Sequence, residues 1–435
     1  MNEQMMEYAE ADTGLGTKEA ITEAKRCLNC KKPACREGCP IANDIPDFIS
    51  ALARGNIGDA REVIARKSNL PAVCGRVCAH ELQCEGHCVL AKQGAPIKIG
   101  KLERFIADFD YRMELTSERI EAKTRGRIAV IGSGPAGLTV AGDLARDGFQ
   151  VTVFEALSEP GGVLFYGIPA FRLPKDVVRR EIARIESLGV AFEMNCVAGK
   201  DFTVDELFAR NYESIFIGSG TAVAKELDLP GKDLVGVMQS SYLLRMAALF
   251  GGGQIQRTEV PVQRGDSVLI IGAGNVAMDA ARTSLQLGAQ QVTVICRSVE
   301  EEIAALRSEY EDTVARGVHF RWSTSPLAYI GSEQVQALEV QTEEGVVQIA
   351  TDKIFLAVGS RPANRIVSTT SGIDVDKIGY VITRERPYGM TTRKGVFAGG
   401  DVVHRPATVV LAMKEAKKVA AGIAQYVDAV RLLEL

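Results

Sequence analysis

Eight of the ten cysteines lie between residues 27 and 88, in two groups of four. The first is Cys27, Cys30, Cys35 and Cys39, in C-L-N-C-K-K-P-A-C-R-E-G-C-P. The second is Cys74, Cys78, Cys84 and Cys88, in C-G-R-V-C-A-H-E-L-Q-C-E-G-H-C. Thiols at this density make disulfides, zinc sites or iron–sulfur clusters. The first 25 residues are polar, with no apolar signal core, and a chain of 435 residues needs no disulfide scaffold. A reducing, cytoplasmic setting and metal binding are therefore the expectation. The first run, C-x2-C-x4-C-x3-C-P, is a relaxed form of the two-cluster ferredoxin pattern, in which the fourth cysteine crosses to the other cluster. That crossover assigns Cys27, Cys30, Cys35 and Cys88 to one cluster, and Cys39, Cys78 and Cys84 to the second. Two four-cysteine zinc sites fit the count as well, but the paired C-x2-C knuckles usual for zinc are missing. His80 and His87 read as ordinary surface or core histidines.

Behind the cysteines stand two glycine loops. Gly132, Ser133, Gly134, Pro135, Ala136 and Gly137 follow an apolar strand and open a helix. In such a loop the first glycine makes the turn and the second admits a pyrophosphate. The third lets helix and strand pack, and the helix N-terminus faces the anion. Glu155 ends the next strand, where an acid meets ribose hydroxyls. Gly400 and Asp401 end a late strand, and Thr408 and Val409 open the helix after it. An Asp there suits a ribityl hydroxyl, which makes the first loop an FAD site. The second loop is Gly272, Gly274, Asn275 and Val276 with Ala277 as the third small residue, and Arg297 closes its following strand. A cation there meets a 2′-phosphate or stacks on adenine. Cys196 and Cys296 form no redox pair, so electrons leaving a flavin have the N-terminal cysteines as acceptor.

The elements that must position these residues are legible in outline. Residues 17–109 carry helical periodicity, broken at Gly55 and Gly58. Residues 110–127 read as a polar surface linker. From 127, RIAVIG, QVTVFE and SIFIGSG read as buried parallel strands, and SVLIIGAG, QVTVICR, VHFRW and KIFLAVGS begin a second such unit. VFAGGD is a last strand before a long C-terminal helix. The expected fold is α/β. A helical double-cluster domain spans 1–115, an FAD domain is split into 116–240 and 359–435, and a nicotinamide domain at 241–358 is inserted in it. A net charge of −4 gives no basic field for nucleic acid, and no apolar run is long enough to span a membrane.

These features together resemble the glutamate synthase small-subunit family of flavoproteins. The marks are EAKRCLNCKKPACREGCPI, DIPDFI, NLPAVCGRVC, QCEGHC, IGKLERFIADF, GSGPAG, PGGVLFYGIPAFRLPK, GAGNVAMDAAR and VFAGGD, spread from about Lys25 to Tyr426. Relatives in that resemblance include the flavoprotein part of dihydropyrimidine dehydrogenase and the large subunit of the bifurcating ferredoxin–NADP transhydrogenase. The resemblance implies FAD, NADH or NADPH, and two 4Fe–4S clusters. It also implies that Glu103, in the I-G-K-L-E-R segment, is the fourth ligand of the second cluster, with Cys74 a bystander. It puts Arg172 next to the flavin. Gly162 and Gly359 join the cofactor-binding set. NADPH-using relatives show two basic residues where this chain has Arg297-Ser298, followed by Val299 and three glutamates, which favours NADH. The expected function is oxidation of NAD(P)H at FAD and passage of electrons through two clusters to a partner oxidoreductase subunit or ferredoxin-like acceptor, within an oligomer. The alternatives are a glutamate synthase small subunit proper, or an electron-conducting scaffold with a vestigial nucleotide site. Hydride transfer needs no general acid or base, so no catalytic side chain is assigned.

Overall fold

The computed structural model describes residues 10, 12–115, 121–363, 365–406 and 408–434. They form two compact units. One comprises Glu10–Leu164, Arg172–Ala222 and Arg361–Leu435, and the other is built on Val223–Ser360 with Phe165–Phe171.

The first unit opens with helices Thr17–Lys25, Ile45–Ala53, Ile57–Ala65, Pro71–Val77 and Ile99–Met113. The apolar faces of all but Pro71–Val77 close over a core that includes Phe48, Ile49, Leu52, Ile64, Leu102 and Ile106. Of the two expected breaks, Gly55 is a real one, with φ of +81° between two helices. Gly58 is not: it sits in the first turn of Ile57–Ala65, which Asn56 caps by accepting from the Asp59 amide at 3.4 Å. The expected linker from 110 also begins too early. The helix Ile99–Met113 runs through it, because Asp110 is buried against Arg61 at 3.5 Å and Arg184 at 3.2 Å. The central part of that linker, 116–120, lies outside the described residues.

The same unit carries a seven-stranded sheet. From edge to edge it runs Thr383–Glu385, Tyr388–Thr391, Val396–Ala398, Ser214–Ile217, Arg127–Ile131, Gln150–Phe154 and Ala191–Glu193. The last five strands in that order are parallel, in the register Ile131↔Phe154, Ile131↔Ile217 and Ala398↔Ile217. Helix Pro135–Arg146 packs against the C-terminal helix Val409–Glu434. The C-terminal helix buries Val410, Met413, Ala416, Val419, Ala420, Ile423 and Val427, an apolar stripe at helical spacing.

The second unit has a five-stranded parallel sheet in the order Val237–Gln239, Lys353–Leu356, Ser267–Ile271, Gln291–Ile295 and His319–Arg321. It also holds an antiparallel meander of Ser325–Gly331, Val335–Thr342 and Gly345–Ala350, which the sequence reading does not contain. Among the described residues no helix is long and apolar enough to cross a membrane.

Candidate functional site

All ten cysteines are free thiols. Eight of them divide between two cavities of the first unit. The first cavity is lined by Cys27, Cys30, Cys35 and Cys88, walled by Leu28, Pro33, Ile45, Ile49, Val89 and Leu90. Burial pushes the Cys27 thiol up and that of Cys35 to about 11. The second cavity is lined by Cys39, Cys74, Cys78 and Cys84 together with Glu103, His80, Asn43 and Val410. Cys39 is pushed up to about 11 by burial. Cys78 is raised by its hydrogen bond with Cys74 and then by burial, and Cys84 is raised by burial. Each thiol held in its neutral form by desolvation gives up its proton when a cation binds in its place.

Glycines set the geometry of the second cavity. A Cβ on Gly75 would stand 2.6 Å from the Arg104 backbone nitrogen, so only glycine lets Pro71–Val77 touch Ile99–Met113 there. That contact sets Cys74 and Cys78 beside Glu103. The Glu103 carboxyl is forced up to about 8 by burial and by the Glu181 carboxylate, against the pull of Arg61. Its Oε1 is buried without a hydrogen-bond partner. The Cys74 sulfur, by contrast, meets Ser68 Oγ at 3.9 Å and Met413 Sδ at 3.7 Å. His80, an ordinary histidine on the sequence reading, also lines this cavity. Its ring is bonded to the Cys74 backbone and pushed down to about 4 by burial, and its Nε2 has no partner. The signal for it is Gly100: a Cβ there would lie 2.3 Å from the His80 ring. His87 stays exposed, bonded to the Gln83 carbonyl at 2.7 Å. Among the described residues no three Cys, His, Asp or Glu side chains converge on a single ion. The thiols instead ring two spaces, and this soft donor set with an orphaned carboxylate oxygen fits iron–sulfur clusters.

The three glycines of the first loop have different surroundings. At Gly132, φ is +98° and a Cβ would meet the Gly218 carbonyl oxygen at 2.7 Å. At Gly137 a Cβ would be 1.9 Å from the Gly132 oxygen, whereas a Cβ on Gly134 would meet nothing within 4 Å. An open space therefore fronts the N-terminus of Pro135–Arg146, which is where a pyrophosphate fits. Gly162 approaches Gly134, and Gly400 approaches Ala136, so the late G-G-D segment lies on the early loop. Glu155 is buried and braces the loop. One of its oxygens accepts from the Ser133 amide at 2.9 Å and from the Ser133 hydroxyl at 2.5 Å, and the other takes the Leu157 amide at 2.9 Å. Burial raises the Asp401 carboxyl against the pull of His404. The Thr408 carbonyl accepts the Leu411 and Ala412 amides and starts the helix at Val409. Arg172 sits half-buried in the turn before helix Lys175–Glu186.

The second loop repeats this geometry. At Gly272, φ is +118° and a Cβ would meet the Ala357 oxygen at 2.6 Å, while Gly274 faces open space. Asn275 Oδ1 accepts the Leu306 amide at 3.0 Å and ties the 300–306 segment to the loop, and Val276 is exposed. Arg297 is exposed beyond strand Gln291–Ile295. Ser298 Oγ lies 3.0 Å from Cys296 Sγ, and Glu300 faces Arg307 at 3.4 Å. Gly359, with φ of +93°, receives the Lys225 amide on its carbonyl at 2.9 Å. Asp279 packs as an ion-pair partner of buried Arg282, at 3.2 Å.

The comparisons with known proteins separate the cysteine-bearing region from the region of the two glycine loops. A family model described as dihydropyrimidine dehydrogenase domain II, 4Fe-4S cluster, matches residues 4–115. One described as pyridine nucleotide-disulphide oxidoreductase matches residues 126–416. The chain is 33% identical to the glutamate synthase (NADPH) small chain of Halomonas elongata, over 97% of this chain and 94% of that one. It is 36% identical to the NAD-dependent dihydropyrimidine dehydrogenase subunit PreT of Escherichia coli O157:H7, over 94% of each. Among solved structures, FprA of Mycobacterium tuberculosis matches 70% of this chain and 85% of its own, with a TM-score of 0.58 at 18% identity. Lactococcus lactis thioredoxin reductase matches 70% and 99%, with a TM-score of 0.55 at 22% identity. The two structural likenesses are likenesses of fold. The sequence matches make the chain an oxidoreductase with a 4Fe–4S domain ahead of an FAD- and NAD(P)-binding region. It belongs to the family of FAD- and iron–sulfur-containing oxidoreductases that includes the glutamate synthase small chain and PreT.

Proposed function

We propose that this chain is the electron-input subunit of a larger oxidoreductase, oxidising NAD(P)H and delivering the electrons one at a time to a partner subunit or small protein acceptor. The observation that carries this reading is that two thiol-lined cavities and the Gly134 loop belong to one compact unit. When bound, FAD supplies the conversion of a hydride into two single electrons, and the clusters conduct them.

The residues of this chain bind and orient. Cys27, Cys30, Cys35 and Cys88 would hold one cluster. Cys39, Cys78 and Cys84 would hold a second, with Glu103 as its fourth ligand. The unpartnered Glu103 oxygen supports that choice, while the Cys74 sulfur already meets Ser68 and Met413 as well as Cys78. Gly132, Gly134, Pro135, Ala136 and Gly137 would cradle the FAD pyrophosphate, with Gly162 closing on it. Ser133 and Glu155 hold the loop, and Glu155 is assigned the ribose hydroxyls. Gly400 and Asp401 would take the ribityl chain, and Thr408, Val409 and Arg172 the flavin ring. Gly272, Gly274, Asn275, Val276, Gly359 and Arg297 would hold the nicotinamide dinucleotide.

For the nucleotide we favour NADH. A 2′-phosphate is costly to bind without matched cations. Arg297 offers one cation, and the Ser298 hydroxyl is turned to Cys296. Anaerobic stopped-flow is the test, on protein assayed for iron and flavin. NADH should bleach the flavin with a higher kcat/KM than NADPH, and Ser298→Arg should move the ratio toward NADPH. No bleaching by either nucleotide would leave an electron-conducting scaffold as the better reading.

A further inference from the structure

We propose that the surface around the first cavity is the docking face for an acidic electron-accepting protein. The proposal rests on reading Cys27, Cys30, Cys35 and Cys88 as cluster ligands, and adds where the electrons leave and what kind of partner takes them.

The two segments that supply these four thiols are rich in cations, with Glu37 directly after the first and Glu85 directly before the second. Residues 25–36 contain five cations (Lys25, Arg26, Lys31, Lys32, Arg36) and no carboxylate, and residues 86–102 contain three (Lys92, Lys98, Lys101) and none. These eight cations belong to a chain whose net charge is −4, so the bias is local. Three of the eight are spent internally: Arg26 on Glu23, Arg36 on Asp44 and Lys101 on Asp12. Lys31, Lys32 and Lys92 are exposed and enter no ion pair among the described residues. They flank an apolar centre. Leu28 and Val89 both line the cavity of the four thiols, yet are 61% and 40% exposed.

An apolar centre over a redox cavity, rimmed by unpaired lysines, fits a partner of the opposite design: a small protein with carboxylates around its own near-surface redox group. Such encounters are weak and small, and complementary charge supplies their on-rate and orientation. The second cavity offers no such exit. Glu103, Cys74 and Cys84 are buried there, and Val410 of the C-terminal helix forms part of its wall. A second copy of this chain docking face to face would set lysine against lysine. The step is an outer-sphere transfer. The reduced chain loses one electron, the acceptor gains one, and no bond is made or broken. The two electrons that leave NAD(P)H with its hydride are thus matched by two encounters.

The experiment uses the full-length protein, with iron and flavin measured first, NADH or NADPH as donor, and three acceptors: an acidic rubredoxin, a basic c-type cytochrome and a neutral quinone. At low salt, Lys31→Glu/Lys32→Glu should slow rubredoxin reduction by about tenfold or more, with the difference shrinking toward high salt as exposed charges are screened. The same variant should reduce the cytochrome faster and the quinone at the unmutated rate. Leu28→Ser should slow rubredoxin without a salt dependence of its own, and Lys377→Glu, an exposed charge elsewhere, should change nothing. Equal rubredoxin rates in variant and unmutated protein at every salt concentration, with iron and flavin present, overturn the docking face alone. Absence of iron from the unmutated protein overturns the cluster reading and the docking face with it.

Discussion

Cys74 and Cys78 lie one helical turn apart on Pro71–Val77 and its cap, and both reach the same cavity, so counting thiols does not separate them. Their partners do. Besides Cys78, Cys74 is engaged by Ser68 and Met413, outside the thiol set, and a Cys74→Ser hydroxyl keeps a partner in Ser68. Iron content should then be unchanged in Cys74→Ser and fall by about half in Cys78→Ser if each cluster carries four irons. Equal losses in iron analysis would return Cys74 to the ligand set and displace Glu103. Glu103 also leaves a mark on stability. In the metal-free fold its pKa is about 8, raised from 4.5 by burial first. Between those values the folded state binds more protons at Glu103 than the unfolded one, so the Glu103 contribution to stability is full below pH 4.5 and declines as pH rises toward 8. Urea unfolding of chelated, iron-free protein at pH 5 and pH 8 should show that decline, and Glu103→Gln should flatten it. An unchanged slope in the variant would place the titration elsewhere.

The elements show what a single chain of letters reveals. RIAVI, QVTVF and SIFI are unbroken apolar runs because parallel strands are buried on both faces, and each lies in the sheet where the pattern puts it. The meander strand Gly345–Ala350 hides from the same scan because most of its residues are at the surface. The last turn of Ile99–Met113 looks like a linker because its charges read as solvated. Only the fold shows that Asp110 is buried against Arg61 and Arg184. Likewise the spacing of Gly132, Gly134 and Gly137 is legible, and the role of Gly75 is not, since it depends on a helix about 25 residues further along. Gly75→Ala tests that role. The added methyl would sit 2.6 Å from the Arg104 nitrogen and 2.8 Å from its Cα, both backbone atoms that cannot swing aside. The helices must separate, at a cost of about 1–3 kcal/mol typical of overpacking. Thermal unfolding should register the loss, and iron bound at the second cavity should fall while flavin content holds. A variant with unchanged Tm and iron would show that the helix contact has slack.

At the scale of the whole molecule, the chain leaves one compact unit briefly for Phe165–Phe171, leaves it again at Ala222 to build the body of the second, and returns at Arg361. The ends of the excursion lie side by side, since the Lys225 amide donates to the Gly359 carbonyl at 2.9 Å. The first unit is knitted without the second. The Asn69 amide donates to Asp143 at 2.8 Å, Lys417 pairs with the same carboxylate at 2.8 Å, and the Ala72 amide donates to Glu181 at 2.7 Å. The first and third tie the start of helix Pro71–Val77 to helices Pro135–Arg146 and Lys175–Glu186, and the second ties the C-terminal helix to Pro135–Arg146. Every residue proposed to hold iron or FAD lies in this unit, and all those proposed for the nicotinamide dinucleotide lie in the other. Replacing residues 223–360 by a short glycine–serine linker should therefore be tolerated geometrically, because the joined ends are already neighbours and closing a short loop costs little entropy. The excised protein should purify with iron and flavin at the ratios of the parent. Dithionite should reduce its flavin, and neither NADH nor NADPH should do so at any concentration. Loss of flavin or iron on excision would mean that the two units share those sites. Retained reduction by NADH would put the nucleotide site in the first unit, against the division of labour that the two glycine loops imply.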